Sequence, residues 1–247
     1  MQNSVSQRVY FITGASSDVG VALLKHLYHE NDVFILQGAK DLRVLQAFAA
    51  EHSNVYCLDV DLSDLNNVKD MIAHLQDNFP TPTHFVHLPA LRVINTKFKN
   101  FDYERYTSDM NIQLQSAILI CQALLPKMAK NKFGRVLFML TSYITSVPPK
   151  NVTAYLVSKT ALAGLARSLA IDFAKDGITV NSVLPSMIET KFLQETSDLI
   201  VEASAKANPM GRNATIGDVV PAMAFLLSEE ARFITGVELP ITGGSAF

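Results

Sequence analysis

The chain has 247 residues, 49% of them hydrophobic and 18% charged, with a formal charge of -2. That much apolar material supports a sizeable core and excludes a disordered or fibrous chain, while the scattered lysines and arginines exclude the basic stripe that nucleic-acid binding requires. The opening residues lack the apolar region of a signal peptide, and no later apolar run approaches the ~20 residues that span a bilayer, so a cytoplasmic protein with no membrane partner is expected.

Short apolar, β-rich runs at residues 9–12, 33–36, 55–60, 84–88, 135–140, 178–183 and 237–241 predict about seven strands. Helical spacing of apolar residues predicts helices over residues 19–30, 42–52, 65–78, 103–130 and 154–175. Strands that are apolar almost throughout are covered on both faces, and crossovers of this length are what parallel pairing requires. The expectation is one α/β domain over residues 1–247, a Rossmann-like doubly wound parallel sheet with helices on both faces. No linker, composition shift or internal repeat supports a second domain. Residues 186–217, where Met187, Ile188, Phe192 and Leu199 stand among polar residues after the sixth strand, read as a mobile cover over a substrate.

The first strand runs into Thr13-Gly14-Ala15-Ser16-Ser17-Asp18-Val19-Gly20 and then a helix. A glycine-bearing turn at a helix N-terminus points free N–H groups and the helix dipole at a bound phosphate, although an ordinary turn has the same parts. At the end of the fifth strand Ser142 places a hydroxyl where it can donate to an oxygen as negative charge develops there, with Thr141 as its competitor. Tyr155 and Lys159, at i and i+4 near the start of a helix, share one face, so an ammonium approaches a phenol. An adjacent positive charge favours the phenolate and brings the proton into use near neutral pH. Cys57 and Cys121 have no neighbouring cysteine and read as buried thiols, and the histidines form no ligand cluster, so no metal is expected.

Taken in order, these motifs resemble the short-chain dehydrogenase/reductase family over essentially the whole chain. Thr13 to Gly20 resembles its T-G-x-x-x-G-x-G. Asp61-Leu62-Ser63-Asp64 resembles the acidic motif that touches adenine. Asn111 stands where the family places its catalytic Asn, and Ser142, Tyr155 and Lys159 complete the tetrad. Asn181-Ser182-Val183-Leu184-Pro185 resembles the segment flanking the nicotinamide, and residues 236–244 resemble the C-terminal I-T-G…D-G-G. The resemblance implies an oxidoreductase moving hydride between NAD(P)(H) and a carbonyl or alcohol. In it Tyr155 is the acid/base, Lys159 holds the nicotinamide ribose and depresses the phenol pKa, Asn111 anchors a relay water and Ser142 bonds the substrate oxygen. Cofactor contacts are implied at Gly14, Ser16, Ser17, Asp18, Val19 and Gly20, at Gln37, Gly38 and Lys40, and at Asp61 and Leu62. Leu88, Pro89, Ala90, Tyr155, Lys159, Pro185, Ser186, Ile188 and Thr190 complete that set. A homotetramer or homodimer built on the long helices is implied as well, with the small residues Ala161, Ala163, Gly164 and Ala166 either at that interface or inside one subunit.

The sequence departs from the family in places. N-N-A-G is replaced by His87-Leu88-Pro89-Ala90, and Pro89 removes a backbone donor. The middle glycine of the phosphate loop is Asp18, expected to cap the helix and to repel a phosphate. At Gln37-Gly38-Ala39-Lys40 no acid ends the second strand, which with Lys40 tilts the choice between NADP and NAD toward NADP. Many relatives of this length reduce 3-oxoacyl groups carried on an acidic protein. Lys130 and Lys132 suit such a carrier, but Asp176 stands where a further basic residue is expected. Either an acyl thioester or a small molecule is therefore the expected substrate, in an apolar pocket formed by Tyr143, Ile144, Val147, Pro148, Leu91, Val93 and Phe192. The alternative is a cofactor-sensing or interaction protein that kept the fold and lost turnover.

Overall fold

The computed structural model describes residues 7–194 and 196–246; the reading of residues 1–6 as free of a targeting signal lies outside them. Strands β1 (Val9–Thr13), β2 (Val33–Gly38), β3 (Val55–Asp59), β4 (His84–His87), β5 (Gly134–Met139), β6 (Ile178–Pro185) and β7 (Glu238–Ile241) form one seven-stranded sheet in the order β3-β2-β1-β4-β5-β6-β7. All neighbouring pairs are parallel. Every residue of β1 and of β6 is buried, as covering both faces of a sheet demands. Alternation then divides their side chains. Phe11, Ile35, Phe85, Val136 and Phe138 face one core, with Met71, Ile120, Leu124 and Leu162 packed on them. Ile12, Phe34, Leu36, Val86 and Leu137 face the other, under Leu23, Leu45, Val219 and Met223.

The helices that cover the first face are α3 (Leu65–Asn78), α4 (Tyr103–Met110), α5 (Ser116–Lys130) and α6 (Thr153–Phe173). On the other face lie α1 (Asp18–Leu27), α2 (Arg43–Glu51) and, after α7 (Asp198–Ala207), α8 (Ile216–Leu227). The single helix expected over residues 103–130 is instead two helices joined by a π-helical turn, Asn111–Gln115. Tyr103–Lys130 is long and apolar enough by length and mean composition alone to cross a bilayer, although charged residues interrupt it. Its Ile120, Cys121, Leu124, Leu125 and Met128 are, however, buried in the core. Helix α8 was not anticipated because Gly217 and Pro221 interrupt its pattern; a capping box between Thr215 and Asp218 starts it and five of its apolar residues are buried. Ala163 and Ala166 pack inside the subunit, whereas a side chain at Gly164 would meet open space.

The connections on either side of β1 leave toward opposite edges of the sheet, since β2 lies on one side of it and β4 on the other. That switch point opens a crevice at the carboxyl ends of β1 and β4, where an α/β sheet binds its ligand.

Candidate active site

The turn from β1 into α1 is held close to its surroundings by two glycines. Gly14 has φ +67°, and a Cβ there would fall 2.9 Å from the backbone nitrogen of Pro89; at Gly20 it would fall 2.6 Å from the carbonyl oxygen of Ala15. The cap of α1 is Ser17, whose Oγ accepts from the Gly20 N–H at 3.1 Å. Asp18 is therefore not the cap. It is the first helical residue, and its carboxylate reaches across the crevice to accept from the Lys191 N–H at 2.8 Å, with the Lys191 Nζ at 3.7 Å. Its charge is directed at a cation, which alters the expected repulsion of a phosphate.

Other residues expected at the cofactor divide into lining and support. Gln37 is buried behind the loop, its Oε1 accepting from the Gly14 N–H at 2.9 Å and its Nε2 donating to the Val60 carbonyl at 2.7 Å, so its side chain braces the cradle and is not offered to a ligand. Leu62 and Val19 turn their side chains into the cores. Gly38 leaves room for Ser16, whose Oγ is 3.0 Å from the position a Cβ would take. Asp61 accepts from the Ser63 N–H at 2.9 Å; that bond first, and the nearby charge of Lys40 to a smaller degree, hold its carboxyl below the usual range. Leu88 is buried, and Pro89 stands against Gly14. Pro185 ends β6, the Ser186 N–H donates to Ile241, and Ile188 bridges Ala214, with Thr190 following.

Tyr155 lies in the first turn of α6 and Lys159 one turn later, buried. The Lys159 Nζ lies 5.9 Å from the Tyr155 ring centroid and donates to the Met139 carbonyl at 2.7 Å, at the end of β5. Burial draws this ammonium down to about 8, opposed by the charge of Asp109. Burial also pushes the Tyr155 phenol well above the ordinary tyrosine range. The Thr141 hydroxyl pulls it back and the fields of Tyr143 and Asp109 add to the rise. The depressed phenol pKa implied by the resemblance is thus not seen: desolvation dominates, and the ammonium is turned to a carbonyl. Of the two hydroxyl candidates, Thr141 is the one that acts on the phenol. Ser142 is buried at the head of a short 3₁₀ turn, Ser142–Ile144. The Asn111 Nδ2 donates to the Ser63 carbonyl at 2.9 Å from within the π-helical turn, a distortion frequent at functional sites.

His87, in place of the family's Asn, is fully buried. Burial first, then the charge of Lys159, lower it to about 3, so the ring is neutral. Its Nε2 faces the Gln113 carbonyl at 2.9 Å and must carry the proton, which makes Nδ1 the acceptor for the Thr13 hydroxyl at 2.8 Å. The ring ties β1 and β4 to the turn that bears Asn111.

A cleft opens beside Tyr155. Leu91 and Val93 line it as expected, but Tyr143, Ile144, Val147, Pro148 and Phe192 do not, and Val147 is 94% exposed. Arg105, Tyr106, Asp109, Asn151 and Thr153 take their place because α4 and the start of α6 form its walls, so it is more polar than anticipated. Asp109, Gln113, Arg105 and Thr141 were missed or ranked second. Thr141 was signalled by its place at the end of the fifth strand, and the i, i+4 spacing of Asp109 and Gln113 around Asn111 is the one sequence signal for the others.

The family model described as enoyl-(acyl carrier protein) reductase matches residues 14–246. The 3-oxoacyl-[acyl-carrier-protein] reductase FabG of Rickettsia bellii is 26% identical over 242 residues, 97% of each chain, and that of Pseudomonas aeruginosa is 28% identical over 247 residues, 98% of each. Among solved structures, 4-hydroxyisoleucine dehydrogenase complexed with NADH superimposes with a TM-score of 0.89 at 21% identity, covering 97% of this chain and 98% of its own. Gluconate 5-dehydrogenase from Burkholderia cenocepacia, in complex with NADP and tartrate, does so with a TM-score of 0.86 at 18% identity, covering 96% and 94%.

Proposed function

Because the chain belongs to the short-chain dehydrogenase/reductase family, whose members are NAD(P)-dependent oxidoreductases acting on carbonyl or alcohol groups, we propose that it reduces a small carbonyl compound with Tyr155 as the proton donor. The observation that carries this reading is that Tyr155, with Lys159 one turn on, stands at the wall of a cleft. The residues fit a dinucleotide: Gly14 and Gly20 leave no room for a Cβ, and the N-terminus of α1 opens beside them. The nicotinamide cofactor would supply or take up the hydride. Gly14, Ser16, Ser17 and Gly20 would hold its phosphates, Asp61 its adenine end, and Pro89, Ala90, Pro185, Ser186, Ile188 and Thr190 its nicotinamide half.

Tyr155 delivers its proton to the carbonyl oxygen of the substrate. Its raised pKa keeps it protonated for that purpose in the resting site. Thr141 or Ser142 donates to the same oxygen as its charge grows. Lys159 would hold the ribose of a bound cofactor, and Asn111, on the π-helical turn, would anchor the path by which Tyr155 is reprotonated. Residues 186–194 and 196–217 would cover the substrate, with the contact between Asp18 and Lys191 joining that segment to the glycine loop.

NADP is preferred in this reading. No acid ends β2, Lys40 stands beyond it with φ 72°, and the nearby Asp41 is occupied by Arg43 at 2.8 Å. The names of the FabG relatives favour a second substrate reading, a 3-oxoacyl thioester. Against carrier docking, Lys132 is paired with Asp176 at 2.5 Å, which removes charge from the patch an acidic carrier would use. Loss of turnover on a retained fold is not favoured, because every position of the tetrad is filled. The test is NADPH and NADH oxidation against a panel of free ketones, aldehydes and acetoacetyl thioesters. Turnover is expected with NADPH and a small carbonyl, and Tyr155→Phe should abolish it while leaving cofactor affinity nearly unchanged. A panel without oxidation, or a Tyr155→Phe variant with the wild-type rate, refutes the assignment.

A further inference from the structure

Helix α4 turns one face to the cleft at which Tyr155 stands. Asp102 at its cap is followed by Arg105, Tyr106 and Asp109, at the three- and four-residue spacings that share a helix face, and all four line the cleft. A cation in the first turn of a helix is set against the helix dipole, which favours an acid there, so the stability of α4 does not account for Arg105. The side chain is half-buried and fixed: its Nη2 donates to the Arg92 carbonyl at 2.8 Å, on the loop after β4. Among the described residues Arg105 forms no ion pair.

The two carboxylates of the same cleft are engaged elsewhere in the protein. Asp109 accepts from the Leu91 N–H at 3.1 Å through Oδ1 and from the Gln113 Nε2 at 2.7 Å through Oδ2. Asp102 caps α4, its Oδ1 accepting from the Arg105 backbone N–H at 2.9 Å. Arg92, the other guanidinium of the lining, donates to the Gln194 Oε1 at 3.1 Å. Arg105 is thus a cation held at the wall of the cleft by a neutral carbonyl, with no carboxylate of the described residues answering its charge.

We propose that Arg105 selects the substrate, and that the substrate is an oxo acid: a carbonyl compound carrying a free carboxylate, with its carbonyl at Tyr155 and its carboxylate on Arg105. The proposal rests on the reading of Tyr155 given above and deepens it by naming the class of substrate. A guanidinium has five donors in a planar fork. With one of them fixed on the Arg92 carbonyl, two nitrogens still face the two oxygens of a carboxylate. Leu91, Val93 and Phe101 line the same cleft and would cover the carbon chain between the two polar ends. A neutral ketone or an ester of the same shape fills that space and leaves the guanidinium unanswered.

The test pairs 3-oxobutanoate, 4-oxopentanoate and 5-oxohexanoate each with its methyl ester, reduced with NADPH by the intact protein at pH 7. For the best acid, kcat/KM in wild type should exceed that of its ester roughly 10- to 100-fold, the scale of hydrogen bonds to a charged group. Added salt should shrink that ratio. Arg105→Gln, which keeps a donor for the Arg92 carbonyl and removes the charge, should bring the ratio near one, chiefly through the KM of the acid. Arg105→Lys, which keeps the charge and loses the fork, should retain part of it. A purely structural tie to the loop would lower acid and ester together and preserve the ratio, and that result overturns the proposal. Equal acid and ester in wild type overturns it as well. Should Arg105→Gln fail to fold, the wild-type ratio and its decline with salt read the same charge. If no carbonyl compound turns over, the reaction proposed above fails, and calorimetry still decides this inference. The same acids and esters are titrated into the protein with and without oxidised NADP, where no hydride is available. Tighter binding of the acid in wild type, lost in Arg105→Gln, upholds the assignment; equal affinities of acid and ester refute it.

Discussion

Replacing Asp18 by Asn should loosen the free protein and tighten its hold on cofactor, two effects of opposite sign from one side chain. The substitution keeps an oxygen that accepts from the Lys191 N–H, now 2.8 Å away, and removes the unit charge. The cap of α1 is unaffected, because Ser17 provides it. Two stabilising contributions disappear in the free protein. A negative charge in the first turn of a helix is worth about 0.3–1 kcal/mol. The contact with the Lys191 Nζ is long, 3.7 Å, and that lysine side chain is 75% exposed, so solvent screening limits it to at most a few tenths of a kcal/mol. The unfolding temperature should fall by roughly 1–4 °C for a domain of this size. For a bound pyrophosphate the same helix-end charge is unfavourable, and its removal by about 0.3–1 kcal/mol corresponds to a roughly two- to fivefold lower Kd. The gain should fade as salt shortens the screening length to ~10 Å or less. The assays are calorimetry of the free protein and NADPH titration at low and at 0.3 M salt, for wild type, Asp18→Asn and Asp18→Gly. Weaker or unchanged binding at low salt in both variants would refute the reasoning. It would mean that the link to Lys191, and not the local field, is what Asp18 contributes to the bound state.

Two further outcomes follow from the same structure. His84 and His87 are each buried and lowered to about 3 by desolvation first and by neighbouring cations second. With folded values below the ordinary ~6.5, their contribution to stability is complete above pH 6.5 and is lost as pH falls, because the unfolded chain binds protons the folded one refuses. At pH 5 the loss is about 2 kcal/mol per histidine, so urea midpoints should drop between pH 7 and pH 5, and midpoints that stay level would contradict the neutral assignment. The exposed Ile118 of α5 and Val157 and Ile171 of α6, 37%, 43% and 78% exposed, lie on the long helices expected to build an oligomer. Light scattering at micromolar concentration should give a dimer or tetramer, and a strict 27.1 kDa monomer would exclude this arrangement.

Most of the frame is legible in the order of residues along the chain. Apolar runs separated by helical spacing placed all seven strands within a few residues and α3 to the residue, and the clearest continuous apolar signature came from β1 and β6, which are buried on both faces. The order of the glycine loop, Asn111, Ser142, Tyr155 and Lys159 was likewise legible, since the chemistry demands particular residue types at particular distances along the chain. Contacts between distant segments were not. Asp18 meets Lys191 across 173 residues, and nothing local to either shows that the carboxylate faces a cation and not a phosphate. His87 read as the loss of a family asparagine until the fold placed its ring between Thr13 and Gln113. The continuous helix expected at residues 103–130 follows its periodicity at both ends, but the π-helical turn in its middle depends on what Asn111 and Gln113 bond in other elements. Burial decided the ionisation of the pair as well. Spacing brought Lys159 to the face of Tyr155, but only the packing around them reveals that desolvation outweighs that proximity.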